Sequence, residues 1–115
     1  MTTNGLESKW LVLNSRVLAT VEIASSRRDR RKGLLGRHGI EGALLLSPAR
    51  SVHTFGMRFS IDVAHLNEAG EVLRITTMKP NRLGAFVFRS RSVIETEANE
   101  LKKWGVASGD VVEIR

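Results

Sequence analysis

Apolar and polar residues alternate with a period of two in one short run after another, and this pattern restricts the chain to a sheet architecture. From Arg16 to Ala24, Val17, Ala19, Val21 and Ile23 share one parity, with Leu18, Thr20 and Glu22 on the other. From Phe59 to Leu66, Phe59, Ile61, Val63 and His65 oppose Ser60, Asp62, Ala64 and Leu66. Side chains on a strand point to alternate faces, so each run predicts a strand with one face in a core. Further runs stand at Trp10–Leu13, Ala43–Leu46, Glu71–Met78, Gly84–Phe88, Ser92–Thr96 and Val111–Ile114. Turn residues separate them: Asn14-Ser15, Ser47-Pro48, Asn67-Glu68-Ala69-Gly70, Lys79-Pro80-Asn81 and Ser108-Gly109-Asp110. Eight or nine short strands of this kind make a mainly β domain, a small sandwich or a partly closed barrel.

Two short helices complete the expected inventory. Ser26, with Asp29 three residues on, is a capping signal for a helix over Arg27–Lys32 that Gly33 ends. Leu34 and Leu35 then turn back toward the core. A second helix is expected over Glu97–Trp104, with Leu101 and Trp104 packing onto the sheet and Gly105 as its left-handed terminator. Residues 10–115 read as a single domain, and residues 1–9 as a flexible tail.

Ser51–Leu66 is the segment richest in chemistry. A two-residue type II′ turn at Gly56-Met57 would pair Ser51 with Asp62, Val52 with Ile61, His53 with Ser60 and Thr54 with Phe59. That register puts Val52, Thr54, Phe59 and Ile61 on one face and His53, Arg58 and Asp62 on the other. His53 and Asp62 would then be diagonal neighbours roughly 7–8 Å apart, close enough for the carboxylate to favour imidazolium.

Charge narrows the functional classes. The net +6 is concentrated at residues 27–37, where six cations face Asp29 alone. The segment carries no interleaved aromatic residue, and the whole chain has no Tyr and only four Phe and two Trp. Weak, salt-sensitive contact with nucleic acid is therefore expected, rather than specific recognition. There is no Cys, hence no disulfide and no thiolate metal site. No apolar run approaches the roughly 18 residues of a membrane span. The first residues lack a secretory pattern, so a cytoplasmic protein without a membrane partner is expected. Asp62 and His65 face opposite ways, and the remaining ligands, His53 and Asp62, are too few for a metal centre without Glu95 joining them. No metal and no cofactor are implied.

Three stretches, RRKGLLGR (30–37), HTFGMRFSID (53–62) and GVASGDVV (105–112), occur in an order that resembles the bacterial and archaeal domain of unknown function 192. The resemblance covers about residues 17–115. It implies a small, mainly β, sandwich-like domain and no particular reaction. It singles out Arg31, Gly33, Leu34, Arg37, Met57, Ile61, Asp62, Pro80, Glu95, Gly109 and Asp110. Ser60 and His65 stand where such domains tend to have Pro and an aromatic residue, which argues against a metal or catalytic role for His65.

The reading that follows is a monomeric binding module for a small polar or anionic ligand, or for a protein partner. Its site is expected around His53, Arg58 and Asp62, with Thr54, Met57, Arg31, Arg37 and Glu95 contributing. The alternative is a hydrolase with His53 and Asp62 or Glu95 as acid and base. A structural or interaction protein without a pocket is third.

Overall fold

A computed structural model describes residues 5–115. Met1–Asn4, part of the expected tail, lie outside the described residues. Seven strands form one sheet: β1 (Glu7–Leu13), β2 (Arg16–Ala24), β3 (Ala43–Leu46), β4 (Ile61–Leu66), β5 (Val72–Met78), β6 (Ser92–Glu97) and β7 (Val112–Ile114). The helices are α1 (Arg27–Lys32) and α2 (Glu100–Lys103). β1 starts three residues before Trp10, with Lys9 opposite Val21 and Glu7 opposite Ile23.

The strands lie in the order β5-β4-β6-β3-β2-β1-β7. All pairs are antiparallel except β2 with β3, which run parallel because α1 and the glycine-rich loop carry the chain back over the sheet. The sheet curls until its edge strands approach. An isolated bridge joins Glu71 to Val111, and the backbone N–H of Val72 donates to Asp110 O at 2.8 Å. The result is a curled, half-barrel sheet.

Two cores follow from the period of two. Leu11, Leu13, Val21, Leu45, Ala64 and Ile94 fill the inside of the curl, where Leu101 of α2 joins them. Leu44, Leu46, Ile61, Val63 and Val93 face outward, where Leu34, Val52 and Met57 cover them. The central strands β3 and β4 are buried on both faces, which accounts for the unbroken apolar run Ala43–Leu46.

Two expected strands are replaced by loops. Gly56 has φ +77 and is the third residue of a turn closed by Met57 N–H donating to Thr54 O at 3.1 Å. This is the glycine position of a type II turn, one residue away from the type II′ position. No ladder links Val52 to Ile61. Segment 51–54 instead runs beside segment 81–84: His53 bridges Leu83, and Gly84 N–H donates to Val52 O at 2.9 Å. Thr54, fully buried, fastens the two, its hydroxyl donating to Lys79 O at 2.6 Å and accepting from Arg82 N at 2.8 Å.

α2 is shorter than expected because β6 continues through Glu97. Gly105 follows it with φ +78, as a left-handed helix end requires. Trp104 packs against the inner core but is only partly buried. Trp104→Ala is therefore expected to cost about 1–3 kcal/mol, less than the loss from a fully enclosed aromatic residue. Chemical denaturation measures it, and a loss above about 4 kcal/mol would contradict the partial burial.

Candidate functional site

A cleft of about 340 Å³ opens between α1, the 47–57 loop and the outward face of the sheet. Leu34, Leu46, Val52 and Met57 form its apolar wall. Arg27, Arg31, Lys32 and Arg50 stand at its mouth with exposed side chains. Arg30 is held at the rim, its guanidinium donating to Ser25 O and Pro48 O at 3.2 Å each.

Glu95 lies among the lining residues. It sits on β6, third of the seven strands across the sheet, opposite Val63 on one side and Leu44 on the other. It shares the outward parity of Val93 and is 4% exposed. Among the described residues its carboxyl has neither a hydrogen bond nor an ion pair. Burial in this apolar setting raises its pKa from 4.5 to about 7.

Gly33 makes room for that carboxyl. Its φ of +49 and ψ of −128 suit a residue without Cβ, and an added Cβ would stand 3.2 Å from Glu95 Oε1. The glycine that ends α1 therefore also sets the free space over the acid.

His53 lines the same cleft and stacks on Phe55 with ring centroids 5.0 Å apart. The Phe55 N–H donates to His53 Nδ1 at 3.2 Å, which places the proton of the neutral ring on Nε2. The cleft thus combines a buried carboxyl, an imidazole with a free donor and a cationic mouth.

His53, Met57, Arg31 and Glu95 meet here, but the other expected site residues lie elsewhere. Asp62 is buried on the opposite face of the sheet, beside Thr96 in register, and accepts from the Thr77 hydroxyl at 2.7 Å. The expected pairing of His53 with Asp62 is therefore corrected: the segment makes no hairpin, so nothing brings the two onto one face. Arg58 is exposed and meets His38, Nη1 to Nε2 at 2.9 Å. Arg37 forms a two-pronged ion pair with Glu22 at 2.9 and 3.1 Å. Thr54 is occupied by the backbone of the neighbouring loop.

His65 is buried on the outward parity, and neither ring nitrogen has a hydrogen-bond partner. Desolvation lowers its pKa, the Arg74 charge adds to this, and the Arg50 backbone opposes it. Among the described residues no group of three or more His, Cys, Asp or Glu side chains could hold a metal ion.

Arg31, Gly33, Leu34, Met57 and Glu95, far apart in the chain, all line this cleft. The DUF192 family model, described as "Uncharacterized ACR", matches residues 11–114. The chain belongs to the DUF192 family. No curated protein matches the sequence. Two solved structures share the fold. One is of a proposed transcription regulator from Sinorhizobium meliloti 1021, 21% identical, with a TM-score of 0.77 and 95% of each chain covered. The other is of a protein of unknown function from Novosphingobium aromaticivorans DSM 12444, 17% identical, with a TM-score of 0.80. That match covers 98% of this chain and 89% of the other. At these identities the likeness concerns the DUF192 fold alone.

Proposed function

We propose that this DUF192 domain binds a small anionic ligand in the cleft above Glu95. The observation that carries the reading is the buried Glu95 carboxyl, which has no hydrogen bond among the described residues. A buried acid without a hydrogen bond is costly unless something that enters the cleft satisfies it. Near neutral pH much of Glu95 is protonated, so it can donate to a ligand oxygen as well as accept from a hydroxyl. Arg31, Lys32 and Arg50 supply the countercharge for an anionic group, and the Leu34–Met57 wall takes the less polar part.

Protonation of Glu95 and binding of an anion are linked. Once Glu95 ionises, its charge opposes the ligand, so affinity should fall as pH rises through about 7. Calorimetric titration with inorganic phosphate, citrate and nucleoside monophosphates tests this at several pH values. At least one anion is expected to bind, with affinity about tenfold lower in Arg31→Gln. Glu95→Gln is expected to flatten the pH dependence. Binding indifferent to both substitutions, or no binding by any of the anions, would refute the reading.

The same acid supports a second reading. A carboxyl with a pKa of about 7 is suited to general acid–base work, and His53 Nε2–H stands in the same cleft. A hydrolase would then use Glu95 with His53 and not Asp62. A rate that depends on pH through about 7 and disappears in Glu95→Gln would favour it.

A further inference from the structure

We infer that the surface around the cleft mouth is an attachment face for an anionic lipid bilayer. Three large apolar side chains stand out from the loop between β5 and β6: Leu83 at 76%, Phe86 at 65% and Phe88 at 79% exposure. Their backbone is fastened rather than loose. Beyond the His53–Leu83 bridge and the Gly84 bond, Val87 N–H donates to Arg50 O at 2.9 Å and Ser90 Oγ donates to Ala49 O at 2.8 Å. Apolar groups held in water by an ordered backbone lack burial within the chain, and such groups mark a contact surface.

The charge around them names the partner. Residues 79–91 contain Lys79, Arg82, Arg89 and Arg91 and no acid. Arg50 joins them from the neighbouring segment, its guanidinium 5.9 Å from the Phe88 ring centroid. Arg30 of α1 lines one recess with Phe86 and Arg91, which places the basic helix on the same side. Of the acids on the adjoining elements, Asp29 lies within α1, Glu68 shares a recess with Arg89, and Glu95 is buried in the cleft. Apolar tips in a collar of arginine match the boundary between acyl chains and anionic headgroups.

A nucleic-acid strand fits less well. Arg50 sits over one face of the Phe88 ring and His53 covers one face of Phe55, while Leu83 offers no ring at all. Among the described residues no helix is long and apolar enough to cross a membrane, and the contact inferred is a peripheral one.

The test is co-sedimentation of the full chain with phosphatidylcholine vesicles, with and without about 30% phosphatidylglycerol. Binding is expected to the anionic vesicles alone and to weaken about tenfold or more in Phe86→Ser/Phe88→Ser. Both positions are exposed, so the variant should keep the wild-type melting temperature. Arg89→Glu/Arg91→Glu should abolish the preference for anionic lipid. As an independent readout, Phe88→Trp should show a blue-shifted emission component on vesicle addition that the wild type lacks. The inference is overturned by absence of binding, by binding that the Phe substitutions leave intact, or by tighter binding to a single-stranded oligonucleotide than to vesicles.

Discussion

Glu95→Gln is expected to make the protein more stable at pH 8 by about 3 kcal/mol while leaving its stability at pH 4 nearly unchanged. The sign follows from the raised pKa. Between about 4.5 and about 7 the folded protein keeps a proton on Glu95 that the unfolded chain has released. Stability from this group is therefore complete below about 4.5, declines as pH rises and is gone above about 7. Glutamine keeps the shape and never ionises, so the decline should vanish. Urea denaturation of both proteins from pH 4 to pH 8 measures the difference. Parallel curves would mean that Glu95 is better solvated or partnered than its burial indicates. The pH range also lets folding and ligand experiments check one another, because the same ionisation should weaken anion binding. His65 acts in the opposite sense: its lowered pKa removes stability as pH falls below about 6.5. The two terms overlap below about 6.5, so the Glu95→Gln difference isolates one of them.

Leu34→Ala is the second large effect, with an expected loss of about 2–5 kcal/mol. Leu34 is 1% exposed in the outward core and forms part of the cleft wall. Its neighbour Leu35 is 39% exposed, so Leu35→Ala should cost under about 1 kcal/mol. The contrast matters because the two residues are chemically identical and adjacent. Chemical-denaturation midpoints of the two variants decide it. Equal losses would show that the glycine-flanked loop after α1 packs differently. Leu34→Ala should also enlarge the cleft beside Glu95, coupling a packing defect to ligand affinity.

Much of the sheet was legible because alternation reports burial directly. The runs at Arg16–Ala24, Ala43–Leu46 and Ser92–Thr96 all became strands, as did Ile61–Leu66 of the run from Phe59. Ser51–Phe55 also alternates, yet its partner is the 81–84 loop and not Ile61. Period alone cannot tell a ladder from an extended segment lying across a sheet, and Gly56 suits either turn type. The start of α1 was readable from Ser26 and Asp29, and the structure shows Asp29 N–H donating to Ser26 Oγ at 3.0 Å.

The candidate site was only half readable. Glu95 sits in a run, SVIETE, where it shares parity with apolar Val93 and charged Glu97 alike, so its inward or outward sense had no sequence signal. The His53–Asp62 pairing failed with the hairpin on which it rested. Arg37 was visible as a charge, but its partner Glu22 lies across the α1 connection on β2. Gly84–Phe88 was expected as a strand, and only the fold shows that it is a loop with Phe86 and Phe88 exposed.

The meeting of the sheet's two edges bears on how the protein is made. β7 has only three residues, yet it lies against β1, while the turn before it meets the start of β5. It emerges from the ribosome after every other strand. Until then β1 and β5 both present unpaired backbone, and the nascent domain carries two open edges at once. Closure of the curl must therefore wait for β7, and its contacts with β1, distant in sequence, form late. A chain shortened before Gly109 would lose both seals together, and its expected fate is association through the exposed edges.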